Sequence, residues 1–345
     1  MQSRQRRPGG RKDHDIATQA RPRPGHGARA RTPGLFPESG GGQEQAGQPL
    51  FTAGAFGIVY ANKDKLRAAG LDPDTPPKSW EEFLAALEAT TGKDQGGLAL
   101  GLKISQTGFN WIYQPLAFAH LGKERFQAMF GKGTTQGFAS PDGVRTLEAY
   151  ARLTPYWMPG TTTLGIDEAD IAFAQGKAAF DVGGTFTLAF LAQNGLSPDK
   201  LLAFPIPPSA EGTHKQISMA PLALTGLGVT ATTRDRAAAI RWIDWVTSPE
   251  GAGMVAKESL DLPATDLGTQ AEALLGKDLA ALQKYFTGPP GSAYEAADDS
   301  FFPSDWDQVK PGDLTVRLTP LKEFTPQQAG VELDKVMASM WKSTR

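Results

Sequence analysis

The sequence predicts an α/β protein, and three observations carry that prediction. From about residue 50 onward, β-type apolar runs alternate with capped amphipathic helices. The 345 residues are 40% apolar, 9% aromatic and 21% charged, which supports a sizeable core and a length of roughly two domains of ~150 residues. No stretch reads as a membrane span. The longest uncharged run, "QISMAPLALTGLGVTATT" at 216–233, is interrupted by Pro221 and by Ser and Thr, and reads as buried strand and loop.

Residues 1–50 stand apart. They contain nine Gly, six Pro and a single aromatic, Phe36, too little apolar surface to offset the entropy of ordering, so disorder is expected there. This segment carries a net charge of +5 and the remainder −7. An acidic body lacks the basic face that displaces counterions from nucleic acid, so nucleic acid is not an expected partner. The tail itself has two readings. It is either a basic arm for nucleic acid or anionic lipid, or non-native text from a wrong start codon or shifted frame; the Arg/Gly/Pro/Ala bias favours the second. Its positive start has no apolar run behind it, so no secretory signal is read. Cysteine is absent, which excludes disulfides, thiolate zinc sites, a catalytic thiol and a lipid-anchor Cys. Of four His, two (His14, His26) sit in the tail, so neither a metal site nor a cofactor is expected.

The ordered elements follow in sequence. "FTAGAFGIVYA" (51–61) is a β-type run. Asn62 caps a short helix, and Gly70 takes the left-handed position after it. Pro76-Pro77 stiffen the connection to a helix opened by the S-x-x-E capping box of Ser79 and Glu82, with Trp80, Phe83, Leu84 and Leu87 as its buried stripe. "GLALGLKI" (97–104) reads as a strand and "FNWIYQPLAFAHLG" (109–122) as a helix. Ser140-Pro141-Asp142 opens another helix with Val144, Leu147 and Ala151 inward. A helix at 167–175, a strand "AAFDVGG", a helix at 186–194 and a strand "LLAFPIPP" come next. "DRAAAIRWIDWVTSPEGAGMVAKE" gives two helices, with Trp242, Ile243 and Val246 inward on the first and Ser248 capping the second. "TPQQAGVELDKVMASMW" is the terminal helix.

Enzymatic signatures are poor: G-x-S-x-G, H-E-x-x-H and the phosphate-binding Walker loop are all missing, and "GKGTT" (131–135) reads as a loop. Acidic pairs occur at Glu81/Glu82, Asp298/Asp299 and Asp305/Asp307. The first belongs to helix capping. The other four, in "DDSFFPSDWDQV", leave open a pair of carboxylates for glycoside chemistry, against a solvated or ligand-proximal loop. "GFNWIY" (108–113) and "GGTF" (183–186) set aromatics beside glycines, an arrangement that suits either the C–H face of a sugar or ordinary core packing.

Residues 57–87 resemble a known family. Tyr60-Ala61-Asn62-Lys63-Asp64, Ala69-Gly70-Leu71 and Pro77-Lys78-Ser79-Trp80-Glu81-Glu82-Phe83 are similar to the "YNKDLF…AGL…PPKTWEEF" block of family 1 extracellular solute-binding proteins, the maltose-binding-protein-like sugar receptors of ABC importers. "FAQGKAAFDVGGTF" (173–186), "LGVTATTRDRAAAIRWIDWVTSPEGA" (227–252) and "FTPQQAGVELDKVM" (324–337) match later blocks in the same order, so the resemblance covers about 55–345. It implies a periplasmic-binding-protein-like two-lobe fold (type II), a carbohydrate ligand in the inter-lobe cleft, and permease subunits of an ABC importer as partners. It also implies a monomeric, non-enzymatic receptor in the periplasm or outside the cell.

By position, Phe186 matches the aromatic that stacks on sugar, with Gly183, Gly184 and Thr185 forming its turn. Phe109, Asn110 and Trp111 match the aromatic cluster of the second lobe, Met219 and Ala220 the loop before the return hinge, and Gly54 the end of the first hinge strand; Trp306 is a further candidate. In the family about a hundred residues precede the "YNKD" block. The expectation here is therefore an incomplete first lobe: 51–220 with 295–345 as the second lobe and 225–290 as the returning helical part of the first. The alternatives to a sugar receptor are a carbohydrate-active enzyme using acids in 298–307 and a receptor for a different small solute.

Overall fold

A thirteen-residue strand, β1 (Leu50–Asn62), organises the fold by pairing along both halves of its length. The computed structural model describes residues 50–92, 95–210, 222–263, 265–284 and 301–343. After β1 come α1 (Lys63–Ala68), α2 (Trp80–Thr90) and β2 (Gly96–Ala99). A π-helical turn, Gly108–Tyr113, runs directly into α3 (Gln114–Leu121), followed by α4 (Lys123–Met129), α5 (Pro141–Ala151) and α6 (Ile166–Ala174). The chain continues through β3 (Ala178–Gly184), α7 (Thr187–Gln193), β4 (Leu201–Pro205) and β5 (Leu222–Gly226). Helices α8 (Arg236–Val246), α9 (Pro249–Ser259), α10 (Ala271–Leu275), α11 (Lys277–Lys284), α12 (Val309–Leu318) and α13 (Pro326–Ser343) complete it.

The second half of β1 lies between β3 and β4, antiparallel to both, and β2 lies parallel to β3 on its far side. The first half, from Leu50 to Ala55, pairs instead with β5. Between the halves the register with β3 shifts at Phe56/Ile58. Gly57 sits there at φ +78°, a backbone that a side chain would strain. Side chains of β1 then alternate. Val59 and Ala61 join the core under α2, α3 and α5, with Trp80, Phe83, Phe180 and Phe204; Ile58 and Tyr60 face Phe173, Leu188, Leu191 and residues of α9–α11.

Local signals explain most elements. The Asn62 side chain accepts hydrogen bonds from the Asp64 and Lys65 amides, at 3.0 and 3.2 Å. Ser79 accepts from Glu82 N at 3.1 Å, while the Glu82 carboxylate reaches back to Lys78 N at 2.7 Å, a capping box with its return bond placed one residue early. Trp80, Phe83, Leu84 and Leu87 are all buried as the spacing predicts.

Three expectations are corrected. The strand expected over 97–104 ends at Ala99; beyond it the Leu102 and Lys103 amides donate to Thr161 O and Leu164 O in the loop before α6. The inward stripe of α5 centres on Thr146, Leu147 and Tyr150, leaving Val144 half-buried; the Tyr113 and Thr146 hydroxyls meet at 2.9 Å and set that rotation. On α8 Ile243 and Val246 face inward, but Trp242 is 54% exposed. Trp242 lies only one position before Ile243, so about 100° of helical rotation separates them and no single narrow contact holds both.

Candidate functional site

Aromatic residues gather where β1 changes partner. Phe56, at the bulge, stacks on Trp111 with ring centroids 5.3 Å apart and planes 7° from parallel. Its other neighbour is Phe186, edge-on at 5.8 Å. Trp111 is only 6% exposed and Phe186 39%, so the group runs from the core out to an apolar ring in water. Each ring is held by local backbone. Trp111 belongs to the π-helical turn, whose carbonyl passes within 2.6 Å of where a Cβ at Gly57 would stand. Phe186 folds back over Gly184, where a Cβ would collide with its ring.

An amide relay starts at Asn110, the residue before Trp111. The buried Asn110 donates Nδ2–H to Gln308 Oε1 at 2.6 Å and accepts from Gln114 Nε2 at 2.8 Å. Asn110 and Trp111 are consecutive in the π-helical turn, and such a turn inside a helix frequently marks a functional position. The ring group offers one exposed apolar ring, Phe186, backed by a stacked pair, which suits the C–H face of an uncharged molecule.

The Gly183–Phe186 turn is itself fastened from beneath. Tyr60, wholly buried, donates its hydroxyl to Gly184 O at 2.8 Å and lies 3.3 Å from Thr185 O. Thr187 Oγ1 accepts from Gly184 N at 3.1 Å. The buried Thr185 hydroxyl bonds the carboxylate of Asp261, which also accepts from Leu262 N at 2.8 Å. Burial lifts the Asp261 carboxyl above its ordinary range, and those two hydrogen bonds pull it part of the way back. Burial also pushes the Tyr60 hydroxyl well up, reinforced by the charges of Asp261, Asp181 and Asp170. Asp181 is the cross-strand partner of Tyr60; it contacts Asp170, whose carboxyl burial raises to about 7.

The positions expected from sequence are placed as follows. Trp111, Phe186 and Gly184 meet Phe56, Gly183 and Thr185 belong to the same turn as Gly184, and Asn110 is buried in the bonds to Gln308 and Gln114. Phe109 is turned into the core, stacked on Tyr113 at 5.3 Å. Trp306 packs on Phe302 at 4.4 Å and stands 6.3 Å from Phe109, on the core side of the turn. Gly54 is in the first half of β1, opposite Ala223. Met219 and Ala220 lie outside the described residues, as do Asp298 and Asp299. Asp307 accepts from Val309 N at 2.9 Å and is 3.7 Å from Lys310. Phe56, Gln114 and Gln308 were not anticipated. The aromatic-beside-glycine pattern that singled out 108–113 and 183–186 also occurs at Phe56-Gly57; Gln308 carries no comparable signal. A cleft of about 230 Å³ lined by Leu66, Leu71, Pro76, Pro77, Phe180 and Leu202 is elsewhere, between α1 and α2. We place the site at the aromatic group because an exposed ring there continues a stacked aromatic pair next to the Gly183–Gly184 turn.

A receptor-type binding site on an α/β scaffold agrees with comparison to known proteins. The chain belongs to the bacterial extracellular solute-binding protein family, whose model matches residues 15–253. A curated relative, a probable amino-acid ABC transporter periplasmic-binding protein of Sinorhizobium fredii, is 29% identical over 210 residues. That match covers 58% of this chain and 44% of the relative, so the chain spans less than half the length of that protein. Solved structures share the fold. A chitin oligosaccharide binding protein superposes with a TM-score of 0.66 at 23% identity, covering 86% of this chain and 72% of the other. A raffinose complex of the binding protein RafE gives 0.60 at 18%, covering 84% and 72%. A solute-binding protein from Thermotoga lettingae bound with α-D-tagatose gives 0.60 at 20%, covering 86% and 72%. The α/β, periplasmic-binding-protein-like fold expected from the sequence is the fold observed.

Proposed function

We propose that this chain is the substrate-binding component of an ABC importer, and that it takes a sugar or oligosaccharide at the Phe56–Trp111–Phe186 face for delivery to membrane permeases. The observation that carries this reading is the exposed Phe186 ring continuing a Phe56–Trp111 stack. A sugar presents C–H faces to such rings. The chain works as a binder without turnover, outside the cytoplasmic membrane, in keeping with its family. Supporting the choice of ligand, three structures of this fold are of proteins described with chitin oligosaccharide, raffinose and tagatose.

Titration calorimetry with raffinose, chitotriose and D-tagatose tests this. Binding of at least one is expected, without hydrolysis of the oligosaccharides, and Phe186→Ala should weaken it about tenfold or more. Hydrolysis abolished by Asp305→Asn or Asp307→Asn would instead make the protein an enzyme. The amino-acid description of the curated relative supports a second reading; heat from an amino-acid panel and none from the sugars would select it.

A further inference from the structure

The turn that carries Phe186 is fixed by side chains outside the ring group, Tyr60 of β1, Thr187 of α7 and Asp261 after α9. We propose that Tyr60 and Asp261 are positioning residues: they lock the Gly183–Phe186 turn and so hold the Phe186 ring at the ligand face. The inference rests on the reading that Phe186 meets ligand.

Tyr60 reaches two successive backbone carbonyls with one hydroxyl. It donates to Gly184 O at 2.8 Å and lies 3.3 Å from Thr185 O. The two carbonyls directly before Phe186 are thereby held together. A buried carbonyl or amide deprived of its partner is costly, so the hydroxyl fixes the turn more firmly than packing alone would. Asp261 works through Thr185. Leu260 ends α9 in the left-handed region at φ +51°, which turns the chain so that Asp261 follows directly. Its carboxylate is then held by Leu262 N and Thr185. Leu262 and Tyr60 belong to one buried cluster, so both fasteners act on the same side of the turn. Asp261 lies beyond β5, in the segment that follows the chain's return alongside β1. The Asp261–Thr185 bond adds to the apolar packing of α9–α11 against Tyr60, Leu188 and Leu191 on the same side.

The test places a single 4-trifluoromethylphenylalanine at position 186 by stop-codon suppression and records its fluorine resonance in the full chain. The expected result is one narrow resonance for the parent. Tyr60→Phe, Thr185→Val and Asp261→Ala should move or split it, and Thr185→Ser, which keeps the hydroxyl, should restore the parent signal. Thr90→Val, which removes a buried hydroxyl bond within α2, controls for a general loss of stability and should leave the resonance in place. An unchanged resonance in Tyr60→Phe, Thr185→Val and Asp261→Ala, with native circular dichroism, overturns the proposal. In parallel, raffinose and chitotriose are titrated into variants that retain Phe186. About tenfold weaker binding in the three variants, with none in Thr90→Val, supports the role at the site. If the parent binds neither sugar, the sugar reading falls, while the fluorine result still decides whether Tyr60 and Asp261 position residue 186.

Discussion

At the scale of single residues, the buried acids behind the ligand turn are the most informative feature. Asp181 is wholly buried and touches Asp170. Two carboxylates in contact away from water cannot both ionise, so one proton stays between them. Asp170 is raised from its ordinary value of 3.8 to about 7, first by desolvation. Between those values the folded chain binds more protons than the unfolded chain. The stabilising contribution is therefore complete below about pH 4 and is lost as the pH rises through about 7. We expect Asp181→Asn to flatten this dependence, because it removes the wholly buried Asp181 carboxyl, which burial itself raises well above its ordinary value. Urea midpoints compared at pH 5 and pH 7.5 provide the measurement: the difference between the two pH values should shrink in the variant, by an amount on the order of a few kcal/mol at most. An equal pH dependence in both proteins would show that the pair carries no such proton.

Elements set the site through their ends and irregularities. The bulge at Gly57 turns Phe56 toward Trp111, and the π-helical turn lets the Trp111 carbonyl pass over that glycine. Gly57→Ala faces both a positive φ and a carbonyl 2.6 Å from the new Cβ. A loss of about 1–3 kcal/mol in urea unfolding is expected, together with weaker sugar binding because both rings shift. The cap of α2 makes a separable case. Ser79→Ala removes an N-cap bond at 3.1 Å far from the site, so it should cost about 1 kcal/mol and leave binding unchanged. If Ser79→Ala weakened binding as much as Gly57→Ala, the distinction between scaffold and site drawn here would fail.

For the whole molecule, the α8–α9 surface is the outlier. Ile240, Trp242, Trp245 and Met254 are all exposed, Trp242 by 54% and Trp245 by 42%. Adjacent apolar groups of this size in water favour self-association. Trp242→Lys with Trp245→Glu should reduce light scattering and dye binding on concentration, while changing the unfolding midpoint little, since neither ring is in the buried clusters. A marked fall in midpoint would mean that the rings contribute to the fold itself.

How far the sequence reached depends on the range of the forces involved. Caps at Asn62, Ser79, Ser140 and Ser248, and the stripe of α2, are satisfied within a few residues, and all are found where their spacing places them. A family-matching block likewise singled out the 183–186 turn, and the aromatic-beside-glycine pattern singled out the 108–113 segment that holds Trp111. Burial was harder: Trp242 and Ile243 look alike in sequence, yet a helix turns about 100° between them and only the neighbouring elements decide which faces in. Phe109 and Phe186 also share a signal, an aromatic next to glycine, but one is core and the other is 39% exposed. Local chemistry thus determined the elements, their caps and the α/β class, because those bonds close over short stretches of chain. Tertiary structure alone decided which rings meet, that Gln308 reaches Asn110 across 198 residues, and that Tyr60 and Asp261 converge on one turn. Such contacts depend on how strands pair and helices cross, and no short stretch of sequence specifies that.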